Sequence, residues 1–404
     1  MTTMPFLGLS NAAETTPDTE GLEATDRLKK LCKLGGNEHD ADGQNRLNHE
    51  LQVIHELGLD DFFLALVDIH RFALSQGNVV FLEGPAASSL VVHRLSLNPV
   101  NPLNHGLLFE RFLDPDQTFA PMRQLSISEG GQEEVVRYAR KKYGWDGTDD
   151  SSPWRAYSQP WHSPGGGNAD RAIIDIVVHP GVTVLKRTLA LVLERSGKGA
   201  VPSQLPDNDK ATLDMFRRGD TDDIYQFCSS RVQELLRKVQ PDGIDDLAVV
   251  WSLSHEIAFE NGLASEYLDQ RNGKEPSPNR HTWLKEILDE THGFLLYHEQ
   301  VMEIVHRVGG LAKRDGMKLL QAVSKKSQRL IDEFRGKFVT GAKENQIEAA
   351  VAEDIFDSVV HRGQFTLCKA NAISAGTIAY QMGYLRAHHL GEFKAVAGEI
   401  QITQ

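Results

Sequence analysis

Two kinds of apolar pattern divide this chain of 404 residues, and that division constrains its fold more than any other feature. From Asp209 to the C-terminus, apolar residues recur almost throughout at the three- and four-residue spacing of amphipathic helices. Strand character appears only earlier. Val79-Val80-Phe81-Leu82 follows a Gly77-Asn78 turn, and Ala172 to Val178 is apolar but for Asp175. The division predicts an α+β, predominantly helical fold, with a small sheet first and an all-helical domain after it.

Further elements follow from local signals. Leu47, Leu51, Ile54 and Leu57 predict a helix over Asn45–Leu57, and Phe63, Leu64, Val67 and Phe72 predict another over Asp60–Ser75. A helix begins at Thr188, and Ser230 with Gln233 makes a capping box for a helix over Arg231–Val239. Residues 1–21, rich in Thr, Asn, Pro and Glu, are expected to be disordered. The Gly-, Ser-, Pro- and Trp-rich stretch 147–170 reads as a loop, and 198–208, with Pro202 and Pro206, as a polar linker. The expected domains are therefore 22–197 and 209–404.

Charge and cysteine usage narrow the function. Forty-three basic residues against 56 acidic ones give a net charge of −13, and a protein that tracks a duplex needs a concentrated basic surface. That balance argues against nucleic acid as a partner. Cys32, Cys228 and Cys368 are far apart and lack Cys-x-x-Cys spacing, as expected of thiols in a reducing compartment. No apolar run approaches membrane-spanning length, and the N-terminus lacks a basic segment followed by an apolar one, so a cytoplasmic protein without membrane association is expected.

Particular motifs carry a family resemblance. Leu107-Leu108-Phe109-Glu110-Arg111-Phe112-Leu113-Asp114-Pro115, Arg218-Gly219-Asp220-Thr221, Asp269 to Pro276, Leu296-Tyr297-His298-Glu299-Gln300-Val301-Met302 and the segment Ala379 to Phe393 follow the chain in that order. They resemble the palm and fingers of the bacterial replicative DNA polymerase III α subunit (family C), over roughly Leu22–Phe393. The resemblance implies a small polymerase-type palm sheet followed by a helical fingers domain. It also implies that the family's thumb is lacking between 147 and 170, and that its phosphoesterase-like and clamp-binding parts have no counterpart in this sequence.

The same resemblance locates what has changed. In the family, the segment after the palm frame carries three metal-binding aspartates at alternate positions, and these fall on Met122, Gln124 and Ser126. Nucleotidyl transfer uses two divalent cations that favour charged oxygen ligands, and a thioether, an amide and a hydroxyl supply no negative charge. The family's phosphate-cradling Gly-Arg-Gly-Ser loop corresponds to Leu82 to Leu90. There Glu83 reverses the arginine's charge and Pro85 lacks an N–H donor, leaving Gly84, Ser88 and Ser89 as candidate ligand contacts or as an ordinary strand-to-helix turn with a serine cap. Asp175 corresponds to the palm carboxylate of a later strand and reads either as a salt-bridge partner or as a catalytic group. Lys325, Lys326 and Asn371 fall at the family's fingers motifs, and Lys369 with Glu299 joins Asp175 as a catalytic candidate.

Histidines stand at several altered positions. His255 and Glu256 occupy the family's Arg-Pro-Gly-Pro turn, and with His298 they form a candidate two-histidine, one-carboxylate site for a divalent metal, against the plainer reading that the chain's 16 histidines are scattered. Two functions follow as expectations. One is a pseudo-polymerase that binds a small molecule, a nucleotide or a protein partner in the palm–fingers cleft. The alternative is a repurposed enzyme of small-molecule biosynthesis, metal-dependent or not, using the remade cleft.

Overall fold

A computed structural model of the chain describes residues 22–35, 41–115, 122–144, 155–161, 170–197, 202, 205–273 and 282–400. The first part runs α1 (Ala24–Leu34), α2 (Ala41–Glu56), α3 (Asp60–Ser75), β1 (Val80–Glu83), α4 (Leu90–Arg94), β2 (Met122–Ile127), α5 (Gln132–Tyr143), β3 (Arg155–Trp161), β4 (Asp170–Val178) and α6 (Pro180–Ser196). Among the described residues that follow, the elements are helices: α7 (Lys210–Arg217), α8 (Ser230–Val239), α9 (Ile244–Ser254), α10 (Glu256–Glu260), α11 (Leu263–Arg271), α12 (Lys285–Leu288), α13 (His298–Arg307), α14 (Lys313–Ser324), α15 (Gln328–Glu344), α16 (Ala349–Gly363), α17 (Lys369–His388) and α18 (Leu390–Ala397), with one isolated parallel bridge between Tyr297 and Leu367. The fold is α+β and predominantly helical, as the periodicity predicts. No helix among the described residues is long and apolar enough to cross a membrane.

The four strands form one sheet in the order β1-β2-β4-β3, with β2 and β4 parallel and both outer pairs antiparallel. Alternation along a strand sends successive side chains to opposite faces. Val80, Leu82, Leu125, Ile127, Ile174 and Ile176 lie on one face and join a buried core with Phe63 of α3 and Val135 of α5. Phe81, on the other face, belongs to the core that contains Val182 and Leu185 of α6 and Ile378 of α17. The sheet is thus held between palm helices on one side and the helical half on the other.

α17 is the axis of the helical half and is buried along most of its length. Its glycines explain how it packs. A Cβ at Gly376 would lie 3.1 Å from the Ile244 carbonyl oxygen of α9, and one at Gly383 would lie 2.6 Å from the Phe216 ring of α7. Seven residues apart, the two glycines share a face and let α7 and α9 approach closely.

Three expectations are corrected. The cap of α8 is Ser229, whose hydroxyl accepts from the Val232 N–H at 3.3 Å, while Gln233 turns to Asp222 and the Cys228 carbonyl. Within the supposed loop 147–170, residues Arg155–Trp161 form β3 against β4; strand formation there depends on a partner distant in sequence. The helix expected from Thr188 starts earlier, at Pro180, because the His179 side chain caps it. The expected disorder of 1–21, and most of the linker 198–208, lie outside the described residues.

Candidate functional site

The polar face of the sheet is set by register. Glu83 of β1 pairs with Gln124 of β2, and Gln124 pairs with Asp175 of β4, so the three form one row across the strands. Ser126, two residues on, shares their face, and Gln124 Nε2 donates to its Oγ at 3.2 Å. Met122 opens β2, but its side chain lies outside the described residues. With strands ~4.8 Å apart, the outer members of the row, Glu83 and Asp175, stand roughly 10 Å from each other across the amide of Gln124. Between those two carboxylates, Gln124 and Ser126 present an amide and a hydroxyl, neither of which carries charge.

Beside the row, Glu83 meets His179. Burial pushes the Glu83 carboxyl up to about 7, opposed by a hydrogen bond from Ser126. Its Oε1 has no hydrogen-bond partner among the described residues and lies 3.9 Å from His179 Nε2. His179 Nδ1 accepts from the Val182 N–H at 3.2 Å, so the ring proton sits on Nε2, toward Glu83. Burial lowers the His179 imidazole to about 4, and Tyr225 packs edge-on at 4.8 Å. Burial and then the Glu83 charge raise the Tyr225 phenol. A carboxyl poised near neutrality next to a neutral imidazole is suited to exchanging a proton.

A stability prediction follows. The folded Glu83 carboxyl lies above its ordinary 4.5, so its contribution is full below that value and is lost as pH rises through about 7. Glu83→Gln, neutral at every pH, is expected to be more stable than the unmodified protein at pH 8, by up to about 3 kcal/mol, with the advantage vanishing near pH 4. Urea unfolding at the two pH values measures it. A variant less stable at pH 8 would mean that the folded protein solvates the ionised carboxylate well.

The opposite wall of the seam is the start of α17. Gly84 has φ +79°, a conformation that favours glycine, and a Cβ there would lie 3.8 Å from Asn371 Oδ1, which is on the exposed side of the helix. Lys369 is buried and donates from Nζ to the His105 carbonyl and to Glu290 Oε2, both at 2.5 Å. Glu299 is also buried. It accepts from the Lys369 N–H at 2.9 Å and the Ala370 N–H at 3.3 Å, capping α17; burial raises its carboxyl and the N–H donors oppose the rise. Lys369 and Glu299 therefore tie elements together at the seam.

Ser88 and Ser89 are fully buried and committed within the loop. Ser88 Oγ donates to the Pro85 carbonyl at 2.6 Å, and Ser89 caps α4 while donating to Glu50 Oε2 at 2.7 Å. The Leu90 and Val91 N–H groups also donate to Glu50, so the chain's own carboxylate takes the N–H donors of this turn. Lys325 and Lys326 are exposed at the C-terminal end of α14. The other end of that helix is tied to the palm by Lys313–Glu110 at 3.6 Å and Arg314–Asp114 at 3.3 Å, so the two lysines stand roughly 18 Å away from that junction.

The metal expectation at His255, Glu256 and His298 is corrected. No group of three or more His, Cys, Asp or Glu side chains among the described residues is arranged to hold a metal ion. His255 ends α9, its Nδ1 3.0 Å from the Trp251 carbonyl, and α10, which carries Glu256, packs on α9 and α11. His298 begins α13, which packs on α12, α14 and α16, and burial followed by the Arg111 charge lowers its imidazole to about 4. All three cysteines are free, and burial pushes Cys32 and Cys368 up to about 12. Neither the burial of the Glu83 carboxyl nor the approach of His179 and Tyr225 is legible in the sequence. The available signal was a carboxylate closing an apolar strand before Gly84-Pro85.

Comparison with known proteins gives two family matches: Bacterial DNA polymerase III alpha NTPase domain over residues 22–151, and Bacterial DNA polymerase III alpha subunit finger domain over 181–346. DNA polymerase III subunit alpha of Halalkalibacterium halodurans is 24% identical over 486 aligned positions, which cover 94% of this chain and 43% of that protein. The Bacillus subtilis subunit is 23% identical, covering 92% of this chain and 43% of its own length, and the Escherichia coli subunit is 23% identical, covering 87% and 40%. The chain thus spans about two fifths of the length of these relatives.

Proposed function

Since the chain belongs to the family of bacterial DNA polymerase III α subunits, we propose that it is a member that does not synthesise DNA and binds a ligand or partner through its palm–fingers seam. The carrying observation is the row Glu83–Gln124–Asp175. At the strand positions that the resemblance assigns to metal-binding aspartates, an amide and a hydroxyl bond each other, and Glu83 and Asp175 flank Gln124 on the neighbouring strands. Two-metal catalysis needs ions about 4 Å apart, each held by charged oxygens, and this row offers no such cradle. Glu50 within the turn that would receive phosphate supports the same reading. The relatives are named as DNA polymerases, so the family lends no weight to excluding nucleic acid as a partner, and the charge argument stands alone on that point. A cytoplasmic location goes with this reading.

The experiment is primer extension on a primed template with all four deoxynucleotides and Mg²⁺ or Mn²⁺. No extension is expected over hours; incorporation that is abolished by Asp175→Asn would overturn the proposal. A second reading, a repurposed enzyme, is favoured by the Glu83 carboxyl near neutrality against His179. In that reading Glu83 exchanges the proton, and Asp175, Lys369 and Glu299 position the seam around it.

A further inference from the structure

We propose that the helical half carries a second site, a cavity between α8 and the α9–α10 corner that binds the anionic group of a small aromatic molecule. The cavity measures about 460 Å³, and its lining includes Arg231, Trp251, His255 and the serines Ser229 and Ser230. That volume is within the range of small-molecule sites. It lies outside the palm row and stands whether or not the row has lost polymerase chemistry.

Arg231 supplies the argument for an anion. In a chain with 56 acidic residues against 43 basic ones, no carboxylate among the described residues pairs with it. Its one hydrogen bond is long, from Nη1 to the Ser254 carbonyl at 3.4 Å. The guanidinium instead stacks 4.2 Å from the centre of the Phe259 ring. Stacking holds the plane of the guanidinium and leaves most of its N–H donors free along the edge, the arrangement that takes a carboxylate or phosphate in two parallel hydrogen bonds.

The aromatic body of the ligand follows from the rest of the lining. Trp251 is fixed, because its indole N–H donates to Gln226 Oε1 at 2.9 Å, and His255 packs edge-on to it at 4.3 Å. With His255 Nδ1–H donated to the Trp251 carbonyl, Nε2 is the ring's acceptor, suited to a hydroxyl or N–H of the ligand rather than to its anionic group. Phe259, against the Arg231 guanidinium, and Ile257 of the same helix stay substantially exposed, 41% and 62%. A planar apolar group lying against these rings, with its charge toward Arg231, satisfies both halves of the cavity.

The test is titration of the full chain with phenyl phosphate, benzoate, inorganic phosphate and phenol, followed by calorimetry and tryptophan fluorescence, with W251F identifying the responding indole. Saturable binding of at least one aromatic anion is expected, with phosphate weaker and phenol absent. Arg231→Met should weaken it about tenfold or more, the amount a charged bidentate contact contributes. Preference for phenyl phosphate or for benzoate supports the site either way and says which anionic group the ligand carries. Arg231→Lys keeps the charge without the fork and should fall between, which preserves the test if the Met variant misfolds. Unchanged affinity in both arginine variants, equal binding of phenol, or no saturation by either anion at millimolar concentration overturns the proposal.

Discussion

Acidification from pH 6.5 to pH 4 is expected to remove much of the protein's folding stability. His70, His179 and His298 are neutral in the fold, each lowered from the ordinary 6.5 to about 4 with burial as the first cause. For a base whose folded value is depressed, the contribution is full above the unfolded value and is lost as pH falls through the folded one. Each imidazole therefore costs up to about 3 kcal/mol across that window, and three of them approach the ~5–15 kcal/mol that stabilises a typical domain. Glu83 and Glu299, both raised, gain stability in the same direction and offset part of the loss. The measurement is urea unfolding at pH 7, 5.5 and 4, repeated on His70→Gln, whose dependence should be shallower. His70 is the cleanest probe because its Nε2 bonds the Val80 carbonyl, at 3.2 Å, away from the seam. A flat profile would mean that the imidazoles take protons in the folded state without penalty.

Glu50→Ala is expected to be more damaging than substitution of Glu83, Lys369 or Glu299, at about 3–5 kcal/mol. The carboxylate is fully buried and receives Arg46 Nε at 2.6 Å, Ser89 Oγ at 2.7 Å, and the Leu90 and Val91 N–H groups at 3.0 Å. Removing it leaves a guanidinium without its counter-charge and two buried N–H groups without an acceptor. Arg46 also holds the Ser88 and Leu107 carbonyls, so the damage passes to the turn that brings Gly84 to Asn371. Glu50→Gln keeps the shape and one acceptor oxygen and should cost less, because its new NH₂ opposes only part of the donor set. Equal unfolding midpoints for Glu50→Ala and the unmodified protein would show that water enters and replaces the carboxylate.

Local regularity was readable in the chain. The helix predicted over Asp60–Ser75 has those bounds, and the apolar runs before Gly84 and up to Val178 are β1 and β4. Positions resting on a single side chain were less secure. Ser230 and Ser229 are both plausible caps, and which one acts depends on where the backbone leaves the extended region. β3 was hidden because its pairing partner is β4, and a strand that owes its existence to a neighbour has little periodicity of its own. Lys325 and Lys326 sit in a family motif yet end at the exposed tip of α14, and His255 and His298 belong to helices with different neighbours.

The sequence by itself determined the class of fold, the order of a small sheet before a helical half, the family resemblance, and the uncharged residues Met122, Gln124 and Ser126 at alternate positions of one strand. These are properties of short-range periodicity and of residue identity in order, and neither needs a partner distant in the chain. Only the tertiary structure decided that Glu83 stands between Ser126 and His179, that Glu50 takes the N–H groups of the turn after Ser89, and that no carboxylate among the described residues pairs with Arg231. The reason is physical. A polar side chain acquires its chemistry from burial and from the groups it meets, and both are set by the packing of elements far apart in sequence.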